Sequence, residues 1–442
     1  MDNIVRPIRR ALPWGFGLFL FVLPWQAQYI VHQGYIGGEA WQYGTYGIYA
    51  IDALLILLAI VWIFFGEKKL SIRPKHVQTI WMIIAAIAVA AFFTLFFSAD
   101  RSVSGYRLVT LCSGILLAYL LSRRVIPVKT AAVALSMAGV VQGVFAFVQV
   151  MTQRIAGSTV LGIAAHAPEE LGQSVVEVAG GRFLRAYGTF QHPNILGGFL
   201  CVALAFQAGW YLTAKKMWER LAALASVVIT ATALFMTMSR SAWVATGVML
   251  LVFASVVLVV REMRPFRRRM IAVCAAIVVT LGVSAAMNSS ALLSRVDAHS
   301  RLNTLSVEER SQGYQDASLV IRDSWLKGKG IGAYTSAVHA LFPARDAWEI
   351  QPVHNVFILI CAELGIFGAI FFVIFIVEMM KWLFEKIFQP VGTPWAMVCF
   401  GALFSLLVVG LFDHYLWSLH SGVFIFWAVS GLSMGVIGEY TE

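Results

Sequence analysis

The chain has 442 residues, of which 60% are hydrophobic and only 13% charged. Soluble domains carry roughly a quarter charged residues, so a soluble globular enzyme is excluded. Apolar runs of about 20 residues recur, the length that spans a bilayer as helix. The short alternating segments of a membrane β-barrel are absent. The net charge of +10 does not point to nucleic acid, because most basic residues sit in short loops between apolar runs, where membrane topology explains them.

The expected fold class is an all-α polytopic membrane protein of about 12 transmembrane helices, with a large, partly helical loop before the tenth. Arg6, Arg9 and Arg10 precede the first apolar run in the manner of a signal peptide. The stretch Trp25-Gln26-Ala27-Gln28 is a poor cleavage site, so the run reads as a first span. Spans are predicted near 11–32, 45–66, 78–98, 104–122, 127–152, 194–213, 219–238, 240–261, 269–287, 354–378, 395–412 and 419–438. This divides the chain into spans one to five (1–152), a first large outer loop (153–193), spans six to nine (194–287), a second large loop (288–353) and spans ten to twelve (354–442). With the N-terminus inside, 20 of the 33 Lys and Arg residues fall in inside segments, and seven of the rest lie in the long loop 288–353. Long loops are exempt from the positive-inside rule. The expected location is a bacterial inner membrane, with both termini cytoplasmic and both long loops facing the periplasm.

Cys112, Cys201, Cys274, Cys361 and Cys399 all fall in spans, with no C-x-x-C pair. They read as small buried residues, with neither a disulfide framework nor a metal site. The first loop ends RAYGTFQHPNILGGFL. Pro193 occupies a favoured first-turn position, and Gly197 and Gly198 imply close approach by a neighbouring helix. Its residues His166, Glu169, Glu170 and Glu177 read as surface. Span eight opens with MSRSAW, which places Arg240 at the outer end of a tight helical hairpin. It either faces an anionic partner or snorkels to the interface.

In the second loop, Ser306-x-x-Glu309 is a capping-box pattern that predicts a helix over 307–325, with Arg310, Tyr314, Ala317 and Ile321 on one face. Gly328, Gly330 and Gly332 then form either a turn offering backbone N–H groups to phosphate or a plain tight turn. His354 opens span ten, where the helix dipole disfavours an imidazolium. A neutral imidazole there can act as general base or serve as a capping or interfacial residue. Glu363, nine residues on, lies about 13 Å deeper on the opposite face and reads as an anchor that needs a cation or hydrogen-bond donors. Asp413, His414 and His420 stand among interfacial aromatics. Asp52 and Arg107 are further polar groups at membrane depth, paired with each other or with the site arginines.

Together RAYGTFQHPNILGGFL, MSRSAW, an ER pair ahead of GKGIGAY, HNVFILICAELGIFG and the closing DHYLWSLHSGVFIFWAVSGL resemble the O-antigen ligase and polymerase superfamily (the Wzy-C family, which includes the lipopolysaccharide O-antigen ligases). The resemblance covers about 180–435. It implies a membrane glycosyltransferase that takes a glycan from an undecaprenyl diphosphate carrier and transfers it to an acceptor hydroxyl on the outer face. The acceptor is lipid A-core in a ligase and another lipid-linked glycan in a polymerase. No metal and no other cofactor are implied. Carried over by position, Arg185, Arg240 and Arg310 bind the donor diphosphate, and His354 and Arg310 are catalytic. His192, Asn194 and Asn355 are supporting polar residues. The chemistry of the residues agrees: arginine presents a planar, permanently charged fork to phosphate. A transporter of lipid-linked glycans is the competing class, which would place its charges near the bilayer midplane.

Overall fold

The computed structural model describes residues 2–66, 75–178, 181–297, 299–389 and 393–438. Lys68, Lys69 and Arg73, in the loop expected between spans two and three, lie outside them. The first part of the chain runs α1 (Asp2–Val22), β1 (Gln28–Ile36), β2 (Glu39–Tyr49), α2 (Ala50–Phe65), α3 (Lys75–Thr94), α4 (Arg101–Ser122), α5 (Val128–Thr152), β3 (Val175–Val178) and β4 (Gly181–Leu184). It continues with α6 (Pro193–Thr213), α7 (Met217–Met236), α8 (Arg240–Val259), α9 (Arg267–Met287), α10 (Ser289–Val296), α11 (Arg301–Ser324) and α12 (Tyr334–Leu341). It ends with α13 (Val356–Ile387), α14 (Thr393–Gly410), α15 (Tyr415–Ser418) and α16 (His420–Ile437). Among the described residues nine helices are long and apolar enough to cross a membrane, and α2 and the apolar part of α14 are shorter.

Two helices form the centre. α6 and α16 are buried along nearly their whole length, as expected for helices apolar on every side. α16 packs on α4, while α6 is enclosed by α5, α7 and α14. The predicted close approaches at the start of α6 are present: a Cβ on Gly197 would lie 2.8 Å from that of Ala242, and one on Gly198 would meet the Tyr415 hydroxyl.

The all-α expectation needs correction in two places. The first two spans do not run to 32 and from 45, because residues 28–49 form an antiparallel hairpin, β1–β2. Its strands are rich in Tyr, Ile, Val and Trp, and its two-residue loop is Gly37-Gly38, with φ +59 and +86. Both loop positions are left-handed, which a type I′ hairpin turn requires. The second correction is the smaller hairpin β3–β4 in the first large loop. Ile155, Val175, Leu184 and Tyr187 give that loop a small core of its own. His166 stacks on Tyr187 at 4.5 Å, and Glu177 pairs with Arg301 of α11, so neither is plain surface.

The helix expected over 307–325 starts earlier, at Arg301, so Ser306 lies inside it and does not cap it. α13 is broken at Gly365, whose φ is +71. The break frees two carbonyls and one amide that the segment 325–330 uses: Lys329 N donates to Ala362 O and Gly330 N to Glu363 O, both at 3.0 Å, and Ile366 N donates to Trp325 O at 2.9 Å. The two segments pass so closely that a Cβ on Gly328 would lie 2.1 Å from Glu363 O, and one on Gly365 2.2 Å from Leu326 O. Both glycines also have positive φ, so a side chain is excluded twice over.

Candidate active site

The polar residues gather at the end of the bundle where α6, α8 and α13 begin and α14 ends. Two buried glutamines of α5 fix the approach to α6. Gln149 Oε1 accepts from Tyr187 N and Gly188 N at 3.0 and 2.8 Å, and Gln142 Oε1 accepts from Thr189 N at 2.8 Å. His192 then caps α6: its Nδ1 accepts from Asn194 N at 3.1 Å, and its Nε2 lies 2.8 Å from Ser174 Oγ. That pattern fixes a neutral ring with its proton on Nε2. Burial, reinforced by the charge of Arg185, holds its pKa down at about 3.

Asn194 is the hub of a relay. Its Oδ1 accepts from Arg185 NH2 at 2.8 Å, and its Nδ2 donates to Asp413 Oδ2 at 2.9 Å. Arg185 also donates through Nε to Thr237 O at 2.8 Å. Asp413 Oδ1 faces His354 Nδ1 at 3.9 Å. Asn355 is the N-cap of α13, accepting from Phe357 N and Ile358 N at 3.0 and 3.2 Å, and its Nδ2 reaches Leu411 O at 3.2 Å. This cap places His354 just outside the helix, beside the loop that carries Asp413.

His354 is mostly enclosed, with 22% of its side chain exposed. Its Nδ1 is buried and has no hydrogen-bond partner. Burial lowers its pKa, Arg310 lowers it further, and Asp413 acts in the opposite sense. Burial alone would raise the Asp413 carboxyl, but the facing His414, His354 and His192 and the amide of Asn194 outweigh it, so Asp413 titrates below the usual range. His414 lies 5.1 Å from His354, ring to ring, with burial holding its pKa at about 3. The state this favours is an ionised carboxylate between neutral imidazoles.

Four guanidinium groups lie near this corner. Arg240 opens α8, directly after the turn at Met238, and Arg310 sits on α11. Arg185 and Arg310 are joined by Arg295 of α10, which was not anticipated. Arg295 donates through Nε to Met238 O at 3.0 Å and through NH1 to Asn303 Oδ1 at 3.1 Å. Burial, with the charges of Arg240 and Arg310, pulls its pKa down to about 10. Burial and the charge of Arg295, and then that of Arg240, act in the same direction on Arg185. Among the described residues no carboxylate forms an ion pair with any of the four. Like charges held together in partial burial call for an anionic ligand.

Other polar residues find partners within the chain. Trp417 Nε1 donates to Glu363 Oε2 at 2.7 Å, which bears out the anchor reading. The glycine turn at 328–332 is a tight turn, because its amides are taken: those of Lys329 and Gly330 by α13, and that of Ile331 by Thr94 Oγ1 at 3.2 Å. Asp52 pairs with His420 at 2.8 Å and not with Arg107, whose guanidinium lies over the Tyr106 ring at 5.4 Å.

Sequence reasoning missed Arg295 and the part played by Asp413. An arginine in a polar loop looks like surface, and Asp413 was read as interfacial. The signal for Asp413 was an acidic residue at the bundle end that holds the HPN and HN motifs. The hairpin was also missed as a site element. It reaches the corner through Tyr43, whose hydroxyl is 3.5 Å from His414 Nε2, through Gln42 to Gln191 at 3.0 Å, and through Trp41 to Ile350 O at 3.3 Å.

Residues 224–373 match a family model described as O-antigen ligase. No curated protein matches the chain. The matched segment contains Arg240, Arg295, Arg310 and His354, whereas Arg185, His192 and Asn194 precede it and Asp413 follows it. The family supports O-antigen ligase or polymerase-type function in general. Over residues 224–373, about a third of its length, this multi-pass helical chain is thus similar to the O-antigen ligase family, and that segment holds Arg240, Arg310 and His354, which the motifs singled out.

Proposed function

We propose that the chain is a membrane glycosyltransferase that moves a glycan from an undecaprenyl diphosphate carrier to an acceptor hydroxyl, with lipid A-core as the acceptor, as in O-antigen ligases. The observation that carries this reading is the group of four arginines, unpaired with carboxylate, set beside a histidine whose Nδ1 side faces an ionised aspartate. On this reading twelve spans cross a bacterial inner membrane, with both termini cytoplasmic and the site at the periplasmic surface, where a diphosphate meets arginines while its polyprenyl tail stays in lipid.

The acceptor oxygen attacks the anomeric carbon, and the bond from that carbon to the diphosphate oxygen breaks with its electrons leaving on the diphosphate. Arg240 and Arg310, whose guanidinium groups have no carboxylate partner among the described residues, meet the charge that develops there. Arg185 and Arg295, tied to backbone carbonyls, are held in place around them. His354 takes the hydroxyl proton through Nε2. Its Nδ1–H then faces Asp413, whose charge favours the imidazolium that forms. A single displacement of this kind inverts the anomeric centre.

The test is glycan transfer in proteoliposomes with undecaprenyl diphosphate oligosaccharide as donor and lipid A-core as acceptor. Transfer that is lost in His354→Ala is expected. Extension of glycan on the carrier alone would instead assign the polymerase reaction, which the same donor chemistry serves. Donor movement between leaflets without transfer would replace the enzyme reading by a transporter.

A further inference from the structure

His354, Asp413 and His414 each offer one ligand atom, and the three atoms lie within 4.8 Å of one another. Neighbouring bonds determine which atoms these are. Ser418 Oγ donates its only proton to His414 O at 3.1 Å and lies 2.6 Å from His414 Nδ1. With that proton on His414 O, Oγ accepts from Nδ1–H, the tautomer that leaves the lone pair of His414 on Nε2. On Asp413, Oδ2 is held by Asn194, while Oδ1 accepts from His414 N at 2.8 Å and with its remaining lone pair faces His354 Nδ1 at 3.9 Å. That Nδ1 is the buried nitrogen without a hydrogen-bond partner. Two imidazole nitrogens and one carboxylate oxygen thus converge, and the groups outside them, Ser418 and Asn194, already set the tautomer of one ligand and the orientation of another. Such outer contacts are what prepares a metal site.

We infer that this triad binds a divalent transition-metal ion of the zinc type, and that the ion inhibits glycan transfer. The argument on binding stands on the triad alone; the effect on transfer rests on the reading of His354 as base. Two nitrogens and one oxygen suit zinc over magnesium or calcium, which prefer all-oxygen shells. Zinc sits about 2.0–2.2 Å from such ligands, with the fourth tetrahedral position left to water or a substrate oxygen. The ligand atoms lie up to 4.8 Å apart, more than the roughly 3.4 Å between ligands of a tetrahedral zinc, so the corner closes by about an ångström on binding. With Nδ1 on the metal, the neutral His354 ring carries its proton on Nε2. It then has no lone pair with which to accept the proton of the incoming hydroxyl. Zinc therefore removes the base without altering the arginines.

The experiment uses the full chain, stripped with EDTA and returned to chelator-free buffer. Zinc binding is measured by competition with a chromophoric chelator, and glycan transfer is followed over the same zinc range with magnesium as control. The inference expects one zinc per chain, transfer that survives EDTA, and inhibition by zinc that magnesium does not reproduce. In His414→Gln, zinc-free transfer persists, while binding and half-inhibition move together to at least about tenfold higher zinc. Ser418→Ala, which releases the tautomer, is expected to move both in the same direction and provides the test should His414→Gln fail to fold. Absence of zinc binding, binding unchanged in both variants, or transfer that requires zinc would overturn the inference. Zinc binding in a chain that transfers no glycan would leave the site standing and remove the proposed function instead.

Discussion

Two parts of this molecule carry similar vocabularies and opposite states. The turn at 328–332 with Glu363 holds glycines, backbone amides and a buried carboxylate. The corner of Arg240, Arg310 and His354 holds charged forks and an imidazole. In the first, bonds within the chain answer the polar groups: Lys329 N and Gly330 N go to α13, Ile331 N to Thr94, and Glu363 to Trp417. In the second, Arg240 and Arg310 have no carboxylate partner among the described residues, and His354 Nδ1 has no bond. A buried polar group is costly unless it is partnered. Answered groups therefore serve the fold, and unanswered groups await a ligand.

That contrast can be broken from either side. The largest effect is expected from His354→Ala, which should slow transfer by roughly 10²–10⁴-fold while the detergent-solubilised protein keeps its melting temperature; a rate near wild type would move the base elsewhere. Arg310→Lys keeps the charge and loses the fork, and initial rates should fall by roughly 10²-fold. Asp413→Asn should cost about tenfold, as for a group that orients another.

Its sharper signature is the pH profile of transfer. A base works when unprotonated, so the rate falls as pH drops through the pKa of His354, which burial places below the ordinary histidine value. Because Asp413 raises that pKa, removing its charge should move the acid limb to still lower pH. A limb moving upward would contradict the assigned neighbour. The smallest effect on chemistry is expected on the answered side. Trp417→Phe removes one of the hydrogen bonds to Glu363, which the backbone at Gly332 and Tyr334 also meets, and should lower stability by about 1–3 kcal/mol, with the rate per folded molecule nearly unchanged. A folded Trp417→Phe protein that transfers no glycan would erase the distinction between the two regions.

Most of the helical bundle was legible because apolar length is a direct physical signal: from the third predicted span onward the helices lie within a few residues of the expected bounds, except that α13 runs to Ile387 where an end at 378 was expected, and nine of the described helices are long and apolar enough to cross a membrane. The hairpin at 28–49 was legible in principle from Gly37-Gly38 between Tyr- and Ile-rich flanks, but its apolar residues extended two neighbouring runs and were counted as membrane. The caps at His192 and Asn355 follow from local rules. The relay does not: Asn194 and Asp413 are 219 residues apart, and no spacing within either motif announces the other. The break at Gly365 was hidden for the same reason. It exists to receive the segment 325–330, and a helix by itself gives no reason to open there.

The Asn194–Asp413 bond also carries a consequence for biogenesis. Synthesis delivers Arg240, Arg295 and Arg310 to their end of the bundle well before the final loop emerges. Until the segment 411–420 arrives, Asn194 has no carboxylate to hold, Asp52 has no His420, and the hairpin has no His414 to close upon. The candidate site is thus completed only by a segment at the end of the chain. On the proposed function, a nascent chain stalled before that segment would display the arginines without Asp413 beside His354, and a fragment released at that point would transfer no glycan.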